Sequence, residues 1–295
     1  MRKKLVIVAI TILQVIVVSL MAKAQESKSS LLWKISGNGL SNTSYIFGTI
    51  HMIPKSDYFF YESWENCFDS CKALALEIDL NISKSEQISL AKSKMMLPDG
   101  KSLKDFMSES EYLSFKGYML DSLKIKPFMF QMYDKIKPFY TYSLILTEIM
   151  GKDIEMYEMR LNKMAQKRKM TTSGLETLEF QMSLVDSISI ADQITMFLQW
   201  DGSVESKLIT EFNDLLEVYK KEDIEQIYLK TVTESDAAAI EEDFLNKRNI
   251  NWIPEIEKLI TQQATFIAVG AAHLGGDKGV IALLKKQGYQ LTPVE

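Results

Sequence analysis

The chain of 295 residues is 46% hydrophobic and 25% charged, with 34 Lys+Arg against 39 Asp+Glu and a formal net charge of −5. An acidic chain without a basic patch argues against nucleic acid as a partner. The two cysteines have no nearby histidine and carry no zinc-finger signal. The length exceeds one ordinary domain and fits a large α/β domain with a helical insertion.

The first 24 residues read as an address, not as part of the fold. Arg2, Lys3 and Lys4 form a basic start, and Leu5 to Met21 is a mostly apolar stretch interrupted by polar residues such as Thr11 and Gln14. Ala22-Lys23-Ala24 then supplies a small-x-small cleavage site. The apolar stretch falls short of the roughly 20 residues a spanning helix needs, so a signal peptide cleaved after Ala24 is expected, with a retained anchor as the alternative. Cleavage removes four cations, taking Lys+Arg from 34 to 30 against 39 Asp+Glu, a net charge near −9. No later stretch is long enough to span a bilayer. The expected mature protein, residues 25–295, is a single domain, periplasmic or secreted, that meets the membrane only through the signal peptide.

Leu31 to Ser36 and Ser44 to Phe47 are strand-like runs around a Gly37-Asn38-Gly39 turn, a β-hairpin pattern. Tyr58 to Cys71 has helical spacing. Its Cys67 and Cys71 lie four apart, beyond ideal disulfide reach in a regular helix but within it if the last turn frays, and both states stay open. Ala73 to Leu80 reads as a buried strand with Glu77 and Asp79 on one face. From about residue 83 to 260 the pattern is mostly helical. Ser83-x-x-Glu86 and Ser108-x-x-Glu111 are capping boxes, Pro98-Asp99-Gly100 is a turn, and the Lys-Pro pieces between Lys124 and Pro138 are expected to break helices and form a compact turn region. Phe139 to Met150, Asp153 to Lys169, Ser203 to Lys220 and Ala237 to Arg248 are the helical runs. Strand pattern returns at Ala264 to Val269, followed by a helix over Lys278 to Gln287, a stop at Gly288 and a strand over Tyr289 to Val294. The expected fold is α/β (α+β): a central mixed sheet from N- and C-terminal strands, with the helical middle packed over it.

The only two histidines close the same pattern, Gly48-Thr49-Ile50-His51 and Gly270-Ala271-Ala272-His273, each directly after a strand-like run. Strand ends are where α/β sheets present functional groups, and glycine there permits close approach of a ligand. Glu77, a carboxylate in an apolar strand, needs a partner. Two histidines and a carboxylate form a familiar ligand set for a catalytic divalent metal. From spacing alone, two structural loop histidines and a Glu77 paired with Lys or Arg explain the pattern as well.

The IFGTIHMIP segment, the ALALEIDL strand, GLETLEFQ (Gly174 to Gln181), the Arg248-Asn249-Ile250-Asn251-Trp252 stretch and the terminal FIAVGAAHLGGDKGVIALLKKQGYQL resemble the TraB/PrgY/GumN family, to which the Tiki metalloprotease ectodomains are related. The resemblance spans Leu31 to Val294. It implies an α/β core that brings both Gly-x-x-His motifs into one active site, and a divalent metal (manganese, cobalt or zinc) at His51, Glu77 and His273, the histidines being its ligands or their immediate partners. Glu77 is then a ligand or the general base. Glu176 and Gln181 lie next to the ligands or in the substrate wall, and Arg248 pairs with a carboxylate or holds a substrate carboxylate. The implied function is a metal-dependent hydrolase, a peptidase acting on a peptide or protein. The alternative is a catalytically silent peptide- or pheromone-binding protein of the same fold.

Overall fold

The computed structural model describes residues 29–151, 153–197, 204–233 and 241–295. The expected signal peptide, Ser203 and residues 237–240 of the run ending at Arg248 lie outside them. No helix of the described residues is long and apolar enough to cross a membrane.

The N-terminal hairpin forms as its sequence indicates. Strands β1 (Leu32–Gly37) and β2 (Ser44–Thr49) pair antiparallel, with Leu32 opposite Phe47. Gly37, Asn38 and Gly39 all adopt left-handed backbone in the turn, which favours this Gly-Asn-Gly composition. The short β3 (Ile53–Pro54) pairs with β5 (Ile154–Glu155) as a separate two-stranded ribbon. The main sheet adds β4 (Ala73–Ile78), β6 (Thr171–Glu176), β7 (Thr265–Gly270) and β8 (Tyr289–Pro293) in the order β6-β4-β7-β2-β1-β8. Strands β6, β4, β7 and β2 run parallel, so their carboxyl ends share one edge, and β1 runs against its neighbours β2 and β8.

A mixed sheet of N- and C-terminal strands is therefore present, with one correction. Strand β6 comes from the stretch read as helical. The helix Tyr157–Arg168 stops at Lys169 in left-handed backbone, and the β-branched Thr171-Thr172 then has space for only a short run before Thr177 caps the next helix. A second correction concerns Asp79. Strand β4 ends at Ile78, so Asp79 lies beyond the pleat that carries Glu77, and its Oδ1 accepts from Asn81 N and Nδ2 at 2.9 and 3.1 Å.

The α-helices of the described residues are α1 (Glu62–Asp69), α2 (Lys84–Leu90), α3 (Glu109–Gly117), α4 (Pro127–Tyr133), α5 (Pro138–Met150), α6 (Tyr157–Arg168), α7 (Leu178–Ser183), α8 (Ile190–Phe197), α9 (Val204–Lys220), α10 (Ile224–Thr233), α11 (Lys247–Gln262) and α12 (Val280–Lys286). Ser83 and Ser108 cap α2 and α3 as their sequences indicate. Pro127 and Pro138 behave differently from the expected breakers. Each opens a helix in its first turn, where the missing N–H costs nothing and the fixed φ is helical.

Strands β2, β4 and β7 are buried along nearly their whole length, as expected of parallel strands covered on both faces. Phe47 makes edge or tilted ring contacts with Trp64 of α1, Tyr157 of α6 and Phe266 of β7. Helices α11 and α12 bring Ile256, Ile260, Val280 and Leu284 into this core. A second apolar cluster, including Leu103, Phe115, Met119, Phe130, Ile145 and Ile194, belongs to the helical middle. Cys67 and Cys71 are free thiols, and burial pushes Cys71 up to about 12, which makes it an inert core residue.

Candidate active site

Four strand ends converge at the carboxyl edge of the sheet. Strand β2 leads into His51, β4 carries Glu77 in its last turn of pleat, β6 ends on Glu176, and β7 ends on Gly270 before a single 3-10 turn, Ala271–His273. The two motif glycines serve different needs. A Cβ at Gly48 would meet Leu274 Cδ1 at 2.9 Å and Ala271 Cα at 3.0 Å, so this glycine lets the second motif's turn lie on β2. A Cβ at Gly270 would meet Glu77 Oε1 at 3.4 Å, His273 Cδ2 at 3.5 Å and His51 Nε2 at 3.8 Å. The space that Gly270 leaves open is therefore ringed by all three residues expected to hold a metal.

Arg248, in the first turn of α11, organises the buried side of this space. Its side chain and those of Glu77 and Glu176 are 6%, 8% and 7% exposed. Nη2 donates to Glu77 Oε2 at 2.5 Å and Glu176 Oε1 at 2.7 Å, and Nε donates to Glu176 Oε1 at 3.0 Å. Nη1 donates to Phe244 O at 2.9 Å and to His273 Nε2 at 3.1 Å. All five guanidinium hydrogens are thus used within the protein, and none remains to hold a substrate carboxylate. Arg248 pairs with the carboxylates, the first of its two expected roles. Gln181 Nε2 donates to Glu77 Oε2 at 3.0 Å and Glu176 Oε1 at 3.2 Å, so it bridges the two acids. Trp252, one helical turn after Arg248, donates its indole N–H to Glu176 Oε2 at 2.9 Å and stacks near His273 at 4.5 Å.

The protonation of His273 follows from its partners. Arginine only donates, so Nε2 of His273 must accept, which leaves the proton on Nδ1. Nδ1 lies 2.6 Å from Asn249 Oδ1, and Asn249 is held that way round because its Nδ2 donates to Lys278 O at 3.0 Å. His273 is a neutral imidazole, and burial pushes its pKa down to about 3 against the attraction of Glu77. For Glu77, burial is the largest influence and opposes ionisation. The attraction of His273, Arg248 and His51 and the Gly270 N–H, which donates at 2.8 Å, together hold its pKa down to about 2. Arg248 is the permanent charge among them.

His51 sits in a different environment. Its side chain is 67% exposed, and Nδ1 lies 3.1 Å from Glu158 Oε1, in the first turn of α6. That hydrogen bond raises the His51 pKa to about 9. Water screens the exposed imidazole side of this pair, which in stability is worth ~0–1 kcal/mol. Nε2 faces the space at Gly270.

His51 Nε2 and Glu77 Oε1 both border the space at Gly270, whereas the Nε2 of His273 takes the Arg248 hydrogen bond. Among the described residues no group of three His, Cys, Asp or Glu side chains stands ready as a metal site. Sequence reasoning missed Glu158, Asn249 and Trp252 as members of the site. Asn249 and Trp252 stand in the Arg248 to Trp252 stretch that carries the family resemblance, and the four-residue spacing of Arg248 and Trp252 on a helix was a local signal for the latter. Glu158 carries no local signal beyond that of an acid in a helix's first turn.

Several vertebrate proteins are similar to this chain along most of its length. Metalloprotease TIKI1 of Xenopus tropicalis is 24% identical over 324 residues, covering 91% of this chain and 62% of that protein. Metalloprotease TIKI1 of Homo sapiens is 22% identical, covering 91% and 63%, and Metalloprotease TIKI2 of Danio rerio is 21% identical, covering 91% and 61%. The chain spans less than two thirds of the length of these relatives. No solved structure matches it. The model of the TraB/PrgY/gumN family matches residues 31–293, and the chain belongs to that family.

Proposed function

We propose that this protein is a metal-dependent hydrolase of peptide bonds, periplasmic or secreted, acting at the carboxyl edge of its sheet. The observation that carries the reading is the convergence of His51 Nε2, Glu77 Oε1 and the His273 ring on the space left open by Gly270. The likeness to proteins named as metalloproteases supports the same chemistry. A bound divalent metal, manganese, cobalt or zinc, would supply a Lewis acid for the scissile carbonyl, and His51 and Glu77 would hold it. Glu77 brings a fixed negative charge, kept ionised by Arg248 and clamped by the Gly270 N–H. With its pKa near 2 it suits that duty better than proton abstraction, for which a pKa near the working pH is best. His51, the exposed member, is where a peptide enters. His273 acts as a neutral wall whose orientation Asn249 and Arg248 fix.

The test is metal content and peptide cleavage of the purified protein beside His51→Ala and Glu77→Gln. Either change is expected to weaken metal binding at least ~10-fold and cleavage by ~100-fold. Equal metal binding in all three proteins sinks the reading. A second reading, a peptide-binding protein without turnover, is favoured by one observation, the hold of Arg248 on His273 Nε2. It is recognised by peptide binding that persists in chelator with the peptide recovered intact.

A further inference from the structure

The two histidines are held in unlike ways. His273 is fixed by two buried partners, whereas the exposed His51 has a single protein hydrogen bond among the described residues, from Nδ1 to Glu158. An imidazole so exposed has a broad choice of ring orientation unless something restrains it. Glu158 is itself placed with care. Its Oε1 also accepts from Thr49 Oγ1 at 2.6 Å, and Thr49 is the buried last residue of β2. Its neighbour Tyr157 is fully buried and donates its hydroxyl to Phe59 O at 2.7 Å, which fixes the start of α6. The twelve-residue α6 points its amino end at the carboxylate, where a negative charge is stabilised. The second oxygen, Oε2, is buried without a hydrogen-bond partner among the described residues. A carboxylate drawn in for its own stability would satisfy both oxygens, whereas this one is arranged around His51.

We propose that Glu158 is a positioning residue of the site: its carboxylate takes the Nδ1–H of His51 and so presents Nε2, lone pair inward, to the space beside Glu77. The proposal rests on the reading of that space as the ligand site. Carboxylate–histidine pairs of this kind set tautomer and ring orientation for a metal, and losing the carboxylate costs 10–100-fold in affinity. Thr49 is the second anchor, which ties the pair to the strand that carries His51.

The experiment uses the purified protein, Mn2+ as probe by calorimetric titration, and 15N NMR of the imidazole rings. The chain has only two histidines, so His51→Ala assigns the spectrum. In wild type, His51 Nδ1 is expected to keep its proton at pH values where the ring is neutral. In Glu158→Leu the proton moves to Nε2 and Mn2+ affinity falls 10–100-fold, with little change in melting temperature. Glu158→Gln, which keeps shape and an acceptor but no charge, gives a smaller loss in the same direction and serves if the leucine variant does not fold. An unchanged tautomer together with unchanged Mn2+ affinity in the Glu158 variants overturns the proposal, while His51→Ala still abolishing Mn2+ binding leaves the site reading intact. Failure of wild type to bind Mn2+ counts against the site reading, and the tautomer then decides the role of Glu158.

Discussion

Replacing Arg248 with methionine is expected to cost about 3–5 kcal/mol of folding stability, because it strips the partner from buried charges. The guanidinium joins Glu77, Glu176, His273 and the Phe244 carbonyl in one buried cluster. Without it, the two carboxylates keep only neutral donors: the Gln181 amide between them, the Gly270 N–H on Glu77 and the Trp252 indole on Glu176. An unpaired buried carboxylate either takes up a proton or admits water, and both oppose the native packing. Urea unfolding monitored by tryptophan fluorescence reads the loss, and adding Glu176→Gln to Arg248→Met should recover part of it. A loss below about 1 kcal/mol would mean that water already reaches the cluster and that Arg248 does not organise the site. An exposed pair such as Lys258 with Glu255 serves as the control, where removal is expected to change stability by ~0.5 kcal/mol or less.

Acidification is the second large effect. His273 titrates at about 3 when folded, against 6.5 as its ordinary value. The unfolded chain therefore binds that proton first, so this contribution to stability is complete above pH 6.5 and drains away as the pH falls towards 3. Glu77, depressed from 4.5 to about 2, acts in the same direction over the lower window. Its contribution is present above 4.5 and lost as the pH falls through 2. His51 has the opposite sign, its pKa being raised to about 9, so its share is present below 6.5 and lost as the pH rises through 9. That share is small, since the side chain is 67% exposed. Between pH 6.5 and 4.5 His273 alone among these groups sets the slope, which approaches about 1.4 kcal/mol per pH unit for a single group. Urea unfolding at pH 7, 6 and 5 measures it, and His273→Gln is expected to flatten the slope over that interval. The same slope in wild type and variant would show that His273 is charged in the native protein.

Much of the scaffold was legible in the residues. The Gly-Asn-Gly turn, the capping serines and the apolar run Ala73 to Leu80, of which Ala73–Ile78 forms the strand, act locally, so their spacing carries the answer. Strand β6 was hidden because six residues with a glycine inside carry little periodic signal, and only pairing with β4 makes them a strand. Pro127 and Pro138 were misread because proline stops a helix from within yet opens one from its first turn, and the preceding lysine looks alike in both cases. The site divides in the same way. His51, Glu77 and His273 stand at strand ends, and parallel strands gather such ends along one edge. The link from His51 to Glu158 spans 107 positions and depends on how α6 docks on β2, which no local pattern encodes. The engagement of all five Arg248 hydrogens was likewise beyond sequence, because it requires the directions of Glu77, Glu176, His273 and Phe244 together.

The central claim is that the space beside Gly270 is the binding centre, and Gly270→Ala addresses it with one methyl group. The backbone there has φ −52°, open to any residue, and the added carbon would lie 3.4–3.8 Å from Glu77, His273 and His51, in ordinary contact without a clash. The variant is expected to fold with nearly wild-type stability and to lose Mn2+ binding and peptide cleavage together. Wild-type Mn2+ affinity in Gly270→Ala would contradict the account.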